Sequence, residues 1–396
     1  MRTPLEPPPP IRTDHSNAFA NNTMRVRLPA IIDETLALNP DYALSIRRRL
    51  AQLRDEIASG DVIRPLDIES APDHAAWSRA IERQREIVYG DLTWHNAEWF
   101  FAETYAYRCL IEGARRREGG RAPVLPVKQE ELNSDALWQL VERALAPAGS
   151  VEDALRQTVA FDLWANRIDL SYAASLEKGT DISPEDWLVD DRDALLACLC
   201  ASSNGNIASG GIVTIIADNA GSELAMDLVL ADCLLRHAVD RVIICLKWHP
   251  TFVSDATTQD VWSMLAEMGK RAPELAERLI SAWNAEELRF LPHPYWNSSR
   301  FLSDLPGGIQ RLLERACLVI IKGDANYRRA VADCVWPAHT PFADVLSYLD
   351  VPVLCLRTLK SDPVVGLPRA ETAAQLDRDD PQWRVNGKRG LAQFKP

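Results

Sequence analysis

The sequence lacks the features that mark membrane, secreted and nucleic-acid-binding proteins. No apolar run approaches the roughly 18 residues that a membrane-spanning helix needs, and residues 1–10 contain no hydrophobic core of a signal peptide. The 44 lysine and arginine residues are outnumbered by 56 aspartate and glutamate residues. The resulting net charge of -12 argues against a broad nucleic-acid-binding surface, although it allows a local basic pocket. We therefore expect a cytoplasmic protein that binds neither membranes nor nucleic acid.

The usual motifs of nucleotide-dependent and hydrolytic enzymes are also missing. Gly205, Gly210 and Gly211 precede the first predicted strand instead of following it, so they form no dinucleotide-binding fingerprint. There is no Walker-type phosphate loop and no Gly-x-Ser-x-Gly nucleophile elbow. The eight cysteines are scattered without the spacing of a zinc site, and we interpret them as reduced thiols in the core of a cytoplasmic protein.

The chain is long enough for two lobes. Its 396 residues, 47% hydrophobic and 25% charged, are typical of a globular protein that exceeds one small domain. Residues 1–16 are proline-rich and predict a disordered arm. Residues 17–205 have helical periodicity and predict an all-helical N-terminal lobe. Its clearest helices are expected at Asp41–Ser59, His95–Arg117, Asp135–Leu145, Val151–Ile168 and Ser183–Ala201.

Residues 206–396 follow a different pattern. Short apolar runs, often β-branched, alternate with helical segments at spacings of roughly 30 to 45 residues, which is typical of βαβ units with a mainly parallel sheet. The sequence therefore predicts an α/β protein in which the helical lobe packs on a Rossmann-like, three-layer α/β catalytic domain. The expected strands are Ile212–Ile216, Val242–Leu246, Leu288–Leu291, Leu318–Ile321 and Val353–Leu356.

The first of these strands is followed by two polar residues, Asp218 and Asn219, and a helix is expected from Ser222 to His237. That helix is apolar on almost all sides, so it should lie deep in the protein. In open α/β sheets, ligands bind outside the carboxyl ends of the strands, which is where the two polar residues lie. Taken alone, they could equally be a helix cap, with Glu223 as an acid of the first turn.

Polar residues also follow three of the other strands. Lys247, His249 and, in a loop, Asp255 come after the second strand, Lys322–Arg328 after the fourth, and Arg357–Lys360 after the last. Because parallel strands end at the same edge of a sheet, we expect these groups to converge on one crevice. A single polar strand end is more often an ordinary turn, whereas four at one edge favour a binding site.

Carboxylate and amide oxygens beside lysine and arginine favour a hard divalent cation that holds a phosphate. The basic side chains would neutralise the remaining phosphate charge, and the Asn219–Ser222 turn would direct N–H groups at an anion. His249 and His293 lack a metal-type partner, so we expect structural or supporting roles for them. The polar cluster Trp164–Ser171 is either a helix end or one wall of the crevice.

The four strand-end motifs resemble those of a known family. They are Asp218-Asn219-Ala220-Gly221-x-Glu223, Phe252-Val253-Ser254-Asp255, Lys322-Gly323-Asp324-x-Asn326-Tyr327-Arg328 and Arg357-Thr358-x-Lys360. In this order they resemble the metal-dependent damage-control phosphatases, formerly domain-of-unknown-function family 89, and most closely the subfamily that acts on sugar phosphates. The resemblance covers nearly the whole chain. Ser222 replaces a usual bulky aromatic residue and Ala325 a usual leucine, which bears on substrate preference rather than on reaction type.

The resemblance implies a phosphatase that uses Mn²⁺, Co²⁺, Ni²⁺ or Mg²⁺ and removes reactive or misplaced sugar phosphates, such as fructose-1-phosphate and related hexose phosphates. It implies that Asp218, Asn219 and Asp255 are catalytic and bind the metal. The resemblance implies substrate contacts for Asp218, Asn219, the segment Asp324–Arg328 and Lys360. Lys322, Arg357 and Thr358 are added because they lie at the same strand ends. The full set of expected substrate contacts is Asp218, Asn219, Lys322, Asp324, Asn326, Tyr327, Arg328, Arg357, Thr358 and Lys360.

Several alternatives stay open from the sequence. Lys322, Arg328 or Lys360 would stabilise the charge that develops during hydrolysis, and Asp218 would be either a metal ligand only or also the nucleophile. A different function is an S-adenosylmethionine-dependent methyltransferase acting on protein glutamate carboxylates, with Glu223 or Asp255 at the cofactor; otherwise Glu223 supports the ligands from behind. A third is a non-catalytic sugar-phosphate-binding module. The sequence does not predict an oligomeric state.

Overall fold

A computed structural model describes residues 5–67, 71–115, 123–171, 186–201 and 211–396. Within these ranges, a seven-stranded sheet has the strand order β1-β7-β6-β5-β2-β3-β4. The strands are β1 (Trp187–Asp190), β2 (Ile212–Ile216), β3 (Arg241–Lys247), β4 (Leu288–His293), β5 (Leu318–Lys322), β6 (Val353–Thr358) and β7 (Gly390–Lys395).

The predicted α/β class and mainly parallel sheet are confirmed. Strands β6, β5, β2, β3 and β4 run parallel to their neighbours, with Val213 of β2 opposite Leu318 of β5 and Val242 of β3. All five expected strands are present. Strand β7 pairs antiparallel with β6, and β1 pairs parallel with β7. The five parallel strands therefore end at one edge, as the sequence analysis required.

One face of the sheet is covered by long helices. Helix α10 (Ser222–His237) lies against this face, and every residue from Ser222 to Leu234 in it is buried, which confirms the expectation from its apolar composition. Val213, Ile215 and Leu246 of the sheet belong to the same apolar cluster as the helices. The helices of this layer are α7 (Asp135–Ala144), α8 (Val151–Ser171), α9 (Arg192–Ala201), α10 (Ser222–His237), α11 (Thr258–Arg271) and α12 (Pro273–Asn284).

The opposite face packs against shorter elements. Ile216, Val319 and Cys355, which alternate along the strands with the residues of the first face, form a second apolar cluster with these elements. This alternation is what makes the fold three-layered. The elements are a 3₁₀ turn (Pro294–Asn297) and helices α13 (Gly307–Glu314), α14 (Gly323–Ala330) and α15 (Phe342–Val345), whereas α16 (Ala370–Asp379) has no buried residue.

The N-terminal helices form a third apolar cluster of their own, which includes Ile46, Leu50, Trp77 and Tyr105. A π-helical turn (Thr23–Arg27) joins the first two helices. No helix in the described ranges is long and apolar enough to cross a membrane. The helices of this part are α1 (Ala18–Asn22), α2 (Leu28–Leu38), α3 (Leu44–Ser59), α4 (His74–Ile87), α5 (Trp99–Arg115) and α6 (Leu125–Leu132), and those that supply residues to this cluster are α2 to α5.

Two predictions about the N-terminal part are wrong. The lobe expected to be all-helical contains strand β1, because Trp187–Val189 is aromatic and apolar enough to pair with β7 instead of extending α9. The expected disordered arm is ordered at residues 10–13: Ile11 is buried, its N–H donates to Asp333 O, and its carbonyl accepts from the Trp99 N–H. The predicted lobe boundary at residues 205–206 lies outside the described residues.

Candidate functional site

Asp218 lies just beyond β2, and its side chain is buried. Asn326 of α14 points its Nδ2 at Asp218 Oδ1 across a long 3.5 Å contact and donates to the Ala217 carbonyl at 3.0 Å. Gly323, the first residue of α14, has φ 75°, and a Cβ there would come within 1.8 Å of Asp218 Oδ2. Only glycine therefore lets the start of α14 approach the Asp218 carboxylate so closely.

The loop after β3 folds onto the end of β2 through backbone hydrogen bonds. The Ala256 N–H donates to Asp218 O at 2.7 Å, and the Ala220 N–H donates to Ser254 O at 2.6 Å. Asn219 and Asp255 pair as an isolated antiparallel bridge. The structure thus brings together Asp218, Asn219 and Asp255, the three expected metal ligands, from two separate strand ends.

Two buried cations lie beside these carboxylates: Lys247, one of the strand-end groups expected at the crevice, and Arg329, which the sequence did not single out. Lys247 ends β3, and its Nζ lies 3.0 Å from Asp255 Oδ2 and donates to the Trp296 carbonyl at 3.0 Å. Arg329 of α14 donates to the same Trp296 carbonyl at 3.1 Å. Burial lowers the Arg329 pKa, while Asp255 and Asp218 act against that shift. The strand-end position of Lys247 indicated that it could lie at the site, whereas no sequence pattern indicated this for Arg329.

The electrostatics of the site are those of crowded, water-poor carboxylates. Burial raises the pKa of Asp218 well above its usual range, and the neighbouring charges of Asp255 and Glu223 raise it further. Burial also raises the Asp255 pKa, against the attraction of Lys247. A cation placed between the two carboxylates would offset this excess of buried negative charge.

The donor atoms fit a hard divalent cation. Asp255 Oδ2 lies 3.0 Å from Lys247 Nζ and accepts no hydrogen bond from the described residues, so a lone pair of this oxygen is available to a cation. Among the described residues, no three His, Cys, Asp or Glu side chains are grouped as a metal site. Two carboxylates and the Asn219 amide oxygen would leave the remaining positions to water and phosphate, the pattern that Mg²⁺ and Mn²⁺ accept.

Lys322 does not face the crevice as the sequence analysis expected. Its Nζ donates to Asp162 Oδ1 at 2.7 Å and to Asp227 Oδ1 at 2.8 Å, and all three side chains are fully buried. The reason is the alternation along β5: Lys322 points to the same face as Leu318 and Ile320, toward α8 and α10. Lys322 is therefore an internal cation and not a phosphate contact.

Arg357 points to the other face of the sheet, and its guanidinium is also bound by groups of the protein. Its guanidinium binds Asp324 Oδ1 at 2.7 Å, donates to Ser361, and lies over the Tyr327 ring at 4.2 Å. Asp324 also accepts the Lys360 N–H at 3.1 Å, and Arg357 is the main attraction holding its pKa below the usual range against burial. The expected substrate contacts Asp324 and Arg357 instead join the start of α14 to the end of β6.

Arg328 and Tyr327 are likewise bound to other parts of the protein. Arg328 donates to Glu103 at 2.6 Å and to Asp333 at 2.7 Å, and its guanidinium lies 3.7 Å from the centre of the Trp99 ring. Tyr327 is buried, and its hydroxyl accepts the Val365 N–H. These side chains connect α14 to the N-terminal helices and to the segment after β6. Of the remaining expected substrate contacts, Lys360 is half-buried just beyond β6, and Thr358, the last residue of β6, is buried.

The expected anion site at the start of α10 is filled by a carboxylate of the protein. Glu131 of α6 accepts the Ser222 N–H at 2.5 Å, and the N-cap residue is Gly221, so neither Asp218 nor Asn219 caps this helix. Lys128, one turn earlier on α6, donates to Asp255 O at 2.6 Å. This role of α6 was not predicted, since a Lys and a Glu three residues apart are common on solvated helices.

The other residues considered from the sequence, His249, His293 and Trp164, contact neighbouring residues of the protein in ways that support a structural role. Asn297 donates to the His249 carbonyl at 2.8 Å, and His293 Nδ1 accepts the Tyr295 N–H at 3.0 Å. Trp164 packs edge-on against Trp187. The rest of the Trp164–Ser171 cluster, from residue 166 onward, has no described side chains.

The comparisons with known proteins cover almost all of the chain. The sequence pattern of the damage-control phosphatase ARMT1-like domain matches residues 23–376. The damage-control phosphatase ARMT1 of Danio rerio is 29% identical over 98% of this chain and 97% of its own length. The protein of the same name from Xenopus tropicalis is 28% identical over 98% and 99%, and that from Homo sapiens is 27% identical over 87% and 85%.

A solved structure has the same fold. A DUF89 family protein from Pyrococcus horikoshii has a TM-score of 0.52 and 12% sequence identity, and the match covers 96% of this chain and 99% of that chain. At this level of identity the likeness concerns the arrangement of helices and strands alone.

Proposed function

The chain belongs to the damage-control phosphatase ARMT1-like domain family, and from this premise we propose that it hydrolyses small sugar phosphates with the help of a divalent cation. The family and its relatives support the coarser statement that the protein is a phosphatase with a role in metabolite repair. Sugar phosphates as substrates, the cation and the residues that hold it are the proposal.

The observation that carries the proposal is the meeting of Asp218, Asn219 and Asp255 at one sheet edge. These residues come from the ends of β2 and β3 and are fixed by the backbone bond from Ala256 N–H to Asp218 O. A protein that only needed to connect strands and helices would gain nothing from burying two carboxylates together, because each raises the cost of ionising the other. A site that receives a cation has a use for both.

In this proposal Asp218, Asn219 and Asp255 hold Mn²⁺, Co²⁺, Ni²⁺ or Mg²⁺. Such a cation supplies a Lewis acid that draws charge from the phosphoryl oxygens. The first turn of α14, which begins beside Asp218, presents backbone N–H groups and the positive end of a helix dipole to a bound phosphate. Lys247 and Arg329 add fixed positive charge from behind the carboxylates, where low exposure to water strengthens its effect.

The substrate class follows from charge and enclosure. Because Asp218 and Asp255 are buried, a phosphate on a small, flexible molecule reaches them more readily than one on a macromolecule. The resemblance of the strand-end motifs to the subfamily that acts on sugar phosphates favours hexose phosphates such as fructose-1-phosphate as the substrates. Removal of such phosphates before they react further is the metabolic role that we propose.

A substrate panel tests the function. Purified protein is incubated with hexose phosphates and Mn²⁺, with and without chelator, and released phosphate is measured. We expect release that chelation abolishes and that Asp255→Ala removes, while Asp232→Asn, a change of another buried acid far along α10, leaves it intact. Transfer of a labelled methyl group from S-adenosylmethionine without metal would replace the proposal by a methyltransferase. Saturable binding without turnover would reduce the protein to a binding module.

A further inference from the structure

Asn219 is held at both ends of its amide group. Its Nδ2 donates to Glu223 Oε2 at 2.9 Å, and its Oδ1 accepts from Ser254 Oγ at 2.6 Å. A carboxylate can only accept hydrogen bonds, so Glu223 selects the amide nitrogen and leaves the oxygen on the opposite side. The Asn219 oxygen has a second lone pair that the Ser254 hydroxyl does not use. Glu223 therefore decides which atom of Asn219 can serve as a ligand.

Glu223 is itself anchored from the interior of the protein. Its Oε1 lies 3.5 Å from Lys322 Nζ, and the ammonium group is fixed in turn by Asp162 and Asp227 at 2.7 and 2.8 Å. Lys322 and both aspartates are completely buried. A chain of charged contacts thus runs from α8 and α10 through the end of β5 to the amide of Asn219.

Burying this group of charges costs free energy of folding, and the need to fill space in the core does not explain why charged residues are used. Three carboxylates and one ammonium group are removed from water, and apolar residues of similar volume commonly stabilise such a position as well or better. Among the described residues, Asp162 Oδ2 and Asp227 Oδ2 also have no hydrogen-bond partner. A buried ionic cluster with unused lone pairs therefore requires a role other than stability.

We propose that Glu223, anchored by Lys322, is a positioning residue that orients the Asn219 amide so that its oxygen faces the bound cation. The inference rests on the proposed metal-dependent function and assigns a purpose to Lys322 that the sequence analysis did not foresee. Glu223 acts through Asn219 and touches neither substrate nor cation. Supporting partners of this kind commonly change metal affinity or activity by about 10- to 100-fold when they are removed.

Metal binding is the decisive measurement, because it needs no turnover. The Mn²⁺ dissociation constant of the full chain is measured by electron paramagnetic resonance of free Mn²⁺ in titrations without substrate. We expect Glu223→Leu to weaken Mn²⁺ binding by about 10- to 100-fold, and saturating Mn²⁺ to restore most of the phosphate release. Lys322 keeps Asp162 and Asp227 as partners in this variant, so the fold is expected to persist.

The matched control is Asp232→Asn. Asp232 is a buried acid on the same helix and forms a two-pronged pair with Arg278 at 2.8 Å for both contacts, with no link to Asn219. We expect this change to lower thermal stability and to leave the Mn²⁺ dissociation constant within about threefold. If Glu223→Leu and Asp232→Asn lower stability equally and neither alters Mn²⁺ affinity, Glu223 is only structural and the inference fails.

A second pair of variants reverses the polarity of the contact. Asn219→Asp alone places two carboxylates against each other across the 2.9 Å contact, so we expect Mn²⁺ affinity to fall. Adding Glu223→Gln supplies an N–H donor in the opposite direction and should recover at least about tenfold of that loss, the lower range of a supporting contact. The absence of any recovery would overturn the inference.

Failure of the function looks different. A wild-type protein that binds Mn²⁺ but releases no phosphate would refute the phosphatase, while the Glu223 variants would still test the orientation of Asn219. A wild-type protein that binds none of Mn²⁺, Co²⁺, Ni²⁺ and Mg²⁺ would refute both.

Discussion

The acidic and the basic strand ends of the sheet have opposite fates. The carboxylates after β2 and β3 meet at the crevice, where Asp218 and Asp255 raise each other's cost of ionisation. The cations of β5, α14 and β6 are instead consumed in ion pairs: Lys322 with Asp162 and Asp227, Arg328 with Asp333 and Glu103, and Arg357 with Asp324. Position at a strand end brought all of them to one region, but the carboxylates after β2 and β3 crowd together there, whereas these three cations are held in ion pairs.

The difference shows that the two groups of strand ends contribute to the free energy of folding with opposite signs. The acidic side carries the free-energy cost that the proposed metal site would require, and the basic side carries buried pairs that hold α14 in place. Changes on the acidic side should therefore reduce activity without reducing stability, and changes on the basic side should do the reverse.

The largest effect is expected for Asp218→Asn. Loss of a ligand to the cation removes several kcal/mol of transition-state stabilisation, which corresponds to a decrease of about 10³-fold in phosphate release. Because burial raises the Asp218 pKa, ionisation of Asp218 opposes folding as the pH rises toward neutrality. Without metal, the variant should therefore melt at a higher temperature than the wild type at pH 7. An active variant, or one that melts lower, would show that Asp218 belongs with the structural residues.

Next in size is Arg328→Met on the basic side. Removal of this guanidinium leaves Glu103 and Asp333 buried without their partner, which is expected to lower the free energy of unfolding by about 3–5 kcal/mol. Urea denaturation measures this change. Adding Glu103→Gln and Asp333→Asn should return part of the loss, and the Mn²⁺ affinity of folded protein should stay near that of the wild type. A stable variant that loses substrate affinity would restore Arg328 as a substrate contact.

The smallest effect concerns Gly323, where the two sides touch. Gly323→Ala places a Cβ within 1.8 Å of Asp218 Oδ2 at a φ of 75°, so both stability and Mn²⁺ affinity should fall. The backbone part costs about 1–2 kcal/mol. Gly90→Ala is the matched control, since Gly90 has φ 85° and nothing within 4 Å of an added Cβ. It should show the backbone cost alone; an equal Mn²⁺ affinity in both variants would mean that Gly323 does not set the position of Asp218.

Much of the fold was predictable because it follows from local patterns. The β-branched run at Ile212–Ile216 and the apolar helix after Gly221 were located correctly from their composition. Strand β7 was missed, since Gly390–Lys395 mixes apolar with polar residues and pairs only in the presence of β6. The ordering of Ile11 was missed for a similar reason, because its partners Trp99 and Asp333 are distant in sequence.

The sequence by itself determined the α/β class, the strand ends that carry polar groups, and the grouping of Asp218, Asn219 and Asp255 at one edge. These follow from periodicity and from the common direction of parallel strands. Only the tertiary structure decided which way each side chain points and which partner it meets. Alternation along β5 turned Lys322 inward to Asp162 and Asp227. A strand can place a charge at a rim, but the elements packed around the rim decide whether that charge remains available for a ligand.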